Sequence, residues 1–336
     1  MNVTDFRILA AMGFSHHSPN GTLHRRPSVS KMARDLGLDP KTVRSRIRNM
    51  ERSGLIKYYQ AFPNLSALGL RCSIYVFQFS DRDRKKEAMS KLSLLDEVQV
   101  IDEYSHSLRV VLLYESEGDL ERRLALTGEL TGVEPTKLFD VPMPPLGMKL
   151  SAADMKILRA LRWDALKPAK RIGQEVGLTA RAVNYRLGRM ADARAYFAVP
   201  VWGLESVSGI IIYAFSFFLQ EKDREETVSR IAQRFAQKSV CWFAASEGVV
   251  FFMLFADSVG EAERMYEAAK SMDGVSKVFM DVFVDTHDLP GMVDKMLYRQ
   301  ARRPRSTVER YDAESAPLVS ADIEKPGERL RLDNLA

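Results

Sequence analysis

The spacing of apolar residues between Val29 and Tyr59, VSKMARDLGLDPKTVRSRIRNMERSGLIKYY, predicts a helix, a tight turn, a second helix and the start of a β-ribbon. Leu36-Gly37-Leu38-Asp39 breaks the first apolar-periodic run, and Gly37 suits the left-handed conformation that ends a helix. Asp39 is a good N-cap, and Pro40 stands where the first helical residue falls. The second helix places Val43, Ile47 and Met50 on one face, at i, i+4 and i+7. Its other side carries Lys41, Thr42, Arg44, Ser45, Arg48, Asn49 and Arg52. Leu55 to Phe62 then reads as a wing that ends at Pro63.

Elsewhere the pattern alternates between the two periods. Thr4-Asp5 caps a predicted helix from Phe6 to about Met12, with Phe6, Leu9 and Ala10 inward, and a turn-rich loop with His16 and His17 follows. Arg71 to Phe79 reads as a strand, Asp81 to Leu95 as a helix, and Val98 to Tyr104 and Leu108 to Tyr114 as two strands. Gly118 to Leu130 is a second helix and Lys137 to Val141 a last strand. The order β-α-β-β-α-β is that of a ferredoxin-like domain.

The chain then repeats itself. Leu150 to Leu158 opens a helix like that at Asp5 to Leu9, and Val176-Gly177-Leu178-Thr179 matches Leu36-Gly37-Leu38-Asp39. Val183, Arg186, Leu187 and Met190 fall on Val43, Arg46, Ile47 and Met50. Ile212 to Phe217, Asp223 to Gln237, Val240 to Ala245, Val249 to Phe255 and Val259 to Lys270 repeat the strand and helix order, and Asp281-Val282 echoes Asp140-Val141. The unit is too long for a solenoid repeat. The expected architecture is α+β, two winged helix-turn-helix domains alternating with two ferredoxin-like βαββαβ domains. Its limits are 1–63 and 148–202 for the heads, 70–147 and 207–290 for the β-domains, and 298–336 for a disordered tail.

Composition narrows the partners. The chain has 336 residues, 49 Lys plus Arg against 44 Asp plus Glu, and a net charge of +5. Positive charge clusters from Arg25 to Arg52, which permits a nucleic-acid partner. Cys72 and Cys241 lie in apolar runs without a CxxC partner, as expected of reduced core residues in a cytoplasmic protein. The longest apolar runs are too short to span a bilayer as helices, so no membrane is expected. His16, His17 and His24 have no Cys or acidic ligand at a usual spacing, and no metal is expected there. No P-loop, dinucleotide fingerprint or nucleophile motif appears, so no cofactor, catalytic residue or enzyme activity is expected.

A helix apolar on one side and basic on the other, just after a Gly-containing turn, is what entering a DNA major groove requires. The same charge run suits a solvated surface helix. The turn, the cap and Gly54-Leu55-Ile56 favour double-stranded DNA. The candidate reading residues are Lys41, Thr42, Arg44, Ser45 and Arg48, with Arg52 on the same side. Arg46 lies nearer the core face, as a phosphate contact or a brace. Lys57, Arg25, Arg26 and Lys31 are phosphate candidates. In the second copy the candidate face carries Arg181, Asn184, Tyr185, Gly188, Arg189 and Asp192, with fewer cations, and Arg194 stands where Gly54 stood.

On Asp5 to Leu9, on Leu36 to Ile47 and on Glu51 to Lys57, the chain resembles the Lrp/AsnC (feast-famine) family of transcription regulators. The resemblance implies sequence-specific DNA binding through the basic helix, and pairing of the β-domains into dimers and larger rings. It also implies an amino-acid or related small-molecule effector. In the hairpin where the family places Gly and Asp, this chain has Tyr104-Ser105-His106-Ser107 and Ser246-Glu247-Gly248. With two heads and two pairing domains on one chain, an internal pseudo-dimer is expected, able to join into homo-oligomers and suited to an asymmetric site. Lrp-like two-domain proteins also occur as sirohaem decarboxylases, for which His106 and Arg109 are the adjacent candidates. A non-DNA-binding interaction module is the remaining alternative.

Overall fold

The computed structural model describes residues 3–12, 28–141, 143–203, 209–244 and 248–302. The first head contains α1 (Val3–Ala11), α2 (Val29–Leu36) and α3 (Pro40–Arg52), followed by β1 (Ile56–Pro63). The first β-domain contains β2 (Arg71–Gln78), α4 (Arg82–Leu92), β3 (Val98–Tyr104), β4 (Ser107–Tyr114), α5 (Glu117–Thr131) and β5 (Thr136–Asp140). The second head has α6 (Ala152–Leu161), α7 (Ala169–Val176), α8 (Ala180–Asp192) and β6 (Tyr196–Trp202). The second β-domain has β7 (Ile211–Leu219), α9 (Arg224–Phe235), β8 (Ser239–Ala244), β9 (Val249–Ala256), α10 (Val259–Lys270) and β10 (Val275–Asp288), with α11 (Gly291–Ala301) after it. The α+β class read from the sequence is the observed one.

The local signals act as expected. Ser28 caps α2, and Gly37 ends it at φ 65°. Asp39 Oδ1 accepts the backbone N–H of Lys41 at 2.7 Å and of Thr42 at 3.3 Å, with Pro40 at the first helical position. Ser151 and Asp154 form a reciprocal capping box on α6. Arg194, in the place of Gly54, keeps the same left-handed backbone, at φ 55° against 77°. An L-residue pays about 1–2 kcal/mol for this. The buried Asn64 offsets part of that cost, donating from Nδ2 to the Arg194 carbonyl at 2.9 Å and the Pro144 carbonyl at 3.0 Å.

The pairing between copies is the main departure from the expectation. The wing strand β1 does not fold back on its own head. It pairs antiparallel with β6 of the second copy, Tyr59 opposite Pro200 and Ala61 opposite Ala198, as a two-stranded sheet. The other strands form one sheet of eight in the order β5-β2-β4-β3-β10-β7-β9-β8. Strand β10 joins its halves. Val275 to Val282 pair with β7, and Phe283 to Asp288 pair with β3.

Three apolar cores follow. One lies between the first half-sheet and α4 and α5, around Phe77, Leu92, Ile101, Val110 and Leu112. Its counterpart lies under α9 and α10, around Phe215, Phe217, Ile231 and Phe252. The central core joins the other sheet faces to both heads, with Ile74, Tyr104, Val111, Phe251 and Phe255 beside Phe6, Val43, Ile157 and Val183. Phe6 of the first head stacks on Phe255 of the second β-domain at 4.7 Å between centroids.

Residues 298–301, expected to begin a disordered tail, are instead the last turn of α11, which packs on α6 with Val293 and Leu297 fully buried. Residues 303–336 lie outside the described residues. Cys72 is buried, and burial pushes its thiol pKa up. The Cys241 side chain is outside the described set. No helix among the described residues is long and apolar enough to cross a membrane.

A buried polar network locks the second head to both β1 and β10. Arg162, 1% exposed, donates from Nη1 to Gln60 Oε1 at 2.6 Å and from Nε to Asp294 Oδ2 at 3.3 Å. Gln60 Nε2 donates to Asp288 Oδ1 at 3.0 Å, and Trp163 Nε1 donates to Asp294 Oδ1 at 3.1 Å. Burial pushes the carboxyls of Asp288 and Asp294 above the usual carboxylate range, although the Arg162 charge pulls them down. Arg162 is buried and Asp294 is 27% exposed, so removing the arginine strands a partly buried carboxylate and its hydrogen bonds, at a cost of about 1.5–3 kcal/mol. Arg162→Ala is therefore expected to lower the unfolding free energy by about that amount, measured by urea denaturation.

Candidate nucleic-acid interface

The turn after α2 and the cap at Asp39 set the direction of α3. Val43 and Met50 are buried, which turns the opposite side of the helix outward. Lys41, Thr42, Arg44, Ser45, Arg48, Asn49 and Arg52 are all exposed there. Lys41, Arg44, Ser45, Arg48, Asn49, Glu51 and Arg52 border one shallow surface cleft. Lys41, Thr42, Ser45 and Asn49 also border a second, beside α1. Arg52 is not aimed outward alone, because its Nη2 donates to Asn49 Oδ1. Glu51 accepts from the Tyr59 hydroxyl at 2.9 Å, which holds the one carboxylate of this stretch against the wing strand.

Arg46 takes the bracing role. Its Nη1 donates to Asp5 Oδ1 of α1 at 2.8 Å, in a half-buried ion pair. Lys57 is exposed on β1, and its side-chain stem runs close to Gly203 at the end of β6. Arg25 and Arg26 lie outside the described residues, as do His16, His17 and His24.

The second head presents the same frame with a different face. Helix α8 has 13 residues, as α3 has, and it buries Val183 and Met190 as α3 buries Val43 and Met50. Arg186 reproduces the brace, donating to Asp154 Oδ1 at 2.9 Å and Ser151 Oγ at 3.1 Å. Arg181, Asn184, Tyr185 and Arg189 are exposed. Tyr185 is 65% exposed, with the Arg189 guanidinium 5.8 Å from its ring centroid.

His106 and Arg109 do not converge. His106 is exposed in the β3–β4 hairpin, with Nδ1 2.9 Å from Ser105 Oγ. Arg109 is buried, its guanidinium 3.9 Å from the Phe251 ring centroid and 4.7 Å from that of Tyr104. The hairpin contact that sequence reasoning missed is with Asp281. Its carboxylate accepts from Ser105 Oγ at 2.5 Å, Ser107 Oγ at 2.7 Å and the His106 N–H at 3.3 Å. The repeat picked out Asp281 as the match of Asp140, but no local pattern places it against the other copy. Ser246 and Glu247 of the second hairpin lie outside the described residues.

Comparison with known proteins fits this geometry. Residues 150–191 match the AsnC-type helix-turn-helix domain model, and residues 24–57 match a winged helix-turn-helix DNA-binding model. The AsnC-type match thus falls on the second head, and the first head matches a general winged helix-turn-helix DNA-binding model, so both heads are helix-turn-helix domains. No curated protein matches the chain in sequence. The crystal structure of the siroheme decarboxylase NirDL aligns with 88% of this chain and 98% of its own, at 15% identity and a TM-score of 0.54. NirDL in co-complex with an iron-uroporphyrin III analogue covers 89% and 97%, at 16% identity and the same TM-score of 0.54. The L-Met complex of the transcriptional regulator NMB0573 from Neisseria meningitidis covers 41% of this chain and 91% of its own, at 19% identity and a TM-score of 0.34.

At such identities the NirDL likeness establishes the fold. It also corrects the expectation that the chain is not an enzyme, because two solved structures that share its fold over nearly the whole length are of a siroheme decarboxylase.

The two braces differ in burial. Asp154 is 4% exposed and Asp5 is 13% exposed. Hydrogen bonds to charged groups contribute about 1.5–3 kcal/mol, more where the stranded group is buried. Arg186→Ala is expected to cost more stability than Arg46→Ala, both within about 1–3 kcal/mol, as read from thermal and urea unfolding.

Proposed function

We propose that the chain is a sequence-specific double-stranded DNA-binding regulator of Lrp/AsnC type, with α3 as its principal reading helix. The observation that carries this reading is the outward face of α3, where Lys41, Arg44, Arg48 and Arg52 stand together on a capped helix fixed from behind by Val43, Met50 and the Arg46–Asp5 pair. Residues in the N-terminal part of a reading helix reach base edges in the major groove. Lys41, Thr42, Arg44, Ser45 and Arg48 are the base-edge candidates. Arg52, Lys57, Arg25 and Arg26 position the helix through phosphates. Asn184, Tyr185, Arg181 and Arg189 form the second, weaker head.

The two copies act together as an internal pseudo-dimer. The β1–β6 and β3–β10 pairings support this reading. A covalent link supplies the second head at high effective concentration. A small-molecule effector, if one acts, works through the β-domains.

Each good bidentate Arg–guanine contact contributes about 1–3 kcal/mol of discrimination. Arg44→Ala with Arg48→Ala is expected to abolish specific binding at moderate salt, while Arg181→Ala with Arg189→Ala weakens it less. Titration of fluorescent duplex DNA measures both, and equal losses overturn the ranking of the heads.

The NirDL likeness favours a second reading, a siroheme decarboxylase-type enzyme. Its test is spectroscopic. Iron-uroporphyrin III is titrated into the full chain, and a saturable shift of its absorbance at one equivalent supports the enzyme reading. An unchanged spectrum rejects it.

A further inference from the structure

We propose that the two heads read different bases, so that the operator is composite: one half-site carries guanine read by Arg44 and Arg48, and the other carries adenine read by Asn184. The inference rests on the DNA-binding reading and specifies its substrate.

The argument starts from what the two reading helices share. Both have 13 residues and an N-cap side chain, Asp39 in one and Thr179 in the other. Both bury a Val and a Met at matching positions, and both are held to the first helix of the head by an Arg–Asp pair. Matching positions therefore point the same way from each head. What differs is the side chain presented.

Arg44 corresponds to Asn184, and both are exposed, with no hydrogen bond to either side chain among the described residues. Arginine matches the O6 and N7 acceptors of guanine, whereas an asparagine amide matches N6 and N7 of adenine. Asparagine is short, so its helix must come closer to the groove floor. Two of the neighbours are cut back. Thr42 and Arg48 of the first head are replaced by Ala182 and Gly188, and Gly188 faces open space. Ser45 is replaced by Tyr185, whose exposed ring offers apolar surface for a thymine methyl, the partner group of an adenine pair.

Charge assigns the division of labour. The α8 face carries Arg181 and Arg189 against Asp192, and the α3 face carries Lys41, Arg44, Arg48 and Arg52. Phosphate attraction comes mainly from the first head. The second head contributes base selection.

The test is selection of bound duplexes from a random library by the full chain, repeated with Asn184→Ala and Asn184→Arg. Since Asn184 is exposed, both variants are expected to keep the wild-type unfolding midpoint. The wild-type chain is expected to enrich duplexes with guanine in one half-site and adenine in the other. Asn184→Ala should lower the adenine preference on the order of 10-fold and leave the guanine half unchanged. Asn184→Arg should convert that adenine preference to guanine. Two identical half-sites, or an adenine preference that survives Asn184→Ala, overturn the composite operator but leave DNA binding standing. No enriched sequence at all overturns the DNA reading and the composite operator together.

Discussion

Strand β10 belongs to two half-sheets at once, and the arrangement of the whole chain depends on it. Its 14 residues cross from β7 to β3, with the register shifting between Phe283 and Asp285. Each half-sheet would otherwise present an open edge there, one at β3 and one along the distal part of β10, and unpaired edges invite pairing with other chains. Joining them inside one chain satisfies both. It also turns the two inner sheet faces toward one shared core, where Tyr104 meets Phe283 edge to face at 5.3 Å. The hairpin after β3 is fixed by the same strand, since Asp281 collects the Ser105 and Ser107 hydroxyls.

The heads depend on that join. A two-stranded sheet is marginal by itself. The β1–β6 sheet persists because its inner side rests on the central core and its outer edge is held by the turn after α6. Ala61 N–H donates to the Arg162 carbonyl, and Ala165 N–H donates to the Tyr59 carbonyl. Arg162, Gln60, Asp288 and Asp294 then tie that turn to the end of β10 and to α11. A displacement of the second head along this network would have to break hydrogen bonds to the buried Arg162, so these contacts hold that head to β1 and α11.

Most local structure was legible in the sequence because its signals are local. Gly37, Asp39, Pro40 and the Val43–Met50 spacing gave α2, the turn and α3, and the alternating runs gave the strands of each β-domain. The missed features are all non-local. Nothing in Ile56 to Pro63 says that its partner is Tyr196 to Trp202, so it was read as the wing of its own head. Thr286-His287-Asp288 carry no apolar strand signal, and they pair with β3 beside hydrogen bonds from Thr286 to Asp102, from Gln60 to Asp288 and from Gln99 to the Leu289 carbonyl. Arg162 carried no pattern signal, since a lone arginine after a helix is usually solvated. Its carboxylate partner Asp294 lies on α11, a helix that begins beyond the expected end of the second β-domain at residue 290 and runs into the stretch from 298 expected to be disordered. Of the reading face, the positions were legible and the Arg46 brace was foreseen as one of two roles, because helix periodicity alone sets which residues turn outward.

The two copies share one frame and differ in the faces they turn outward. The residues that hold the frame are repeated: Val43 and Val183, Met50 and Met190, Arg46 with Asp5 and Arg186 with Asp154. The residues that face outward are not, from Arg44 against Asn184 to Arg48 against Gly188. In a homodimer any substitution appears in both heads, so a change that suits one half-site alters the other as well. Covalent duplication removes that coupling. One face can drift from Arg to Asn while the other keeps its charge, provided the buried positions stay fixed. The frame here is conservative and the faces are divergent, as expected if selection on pairing and selection on reading act on different residues.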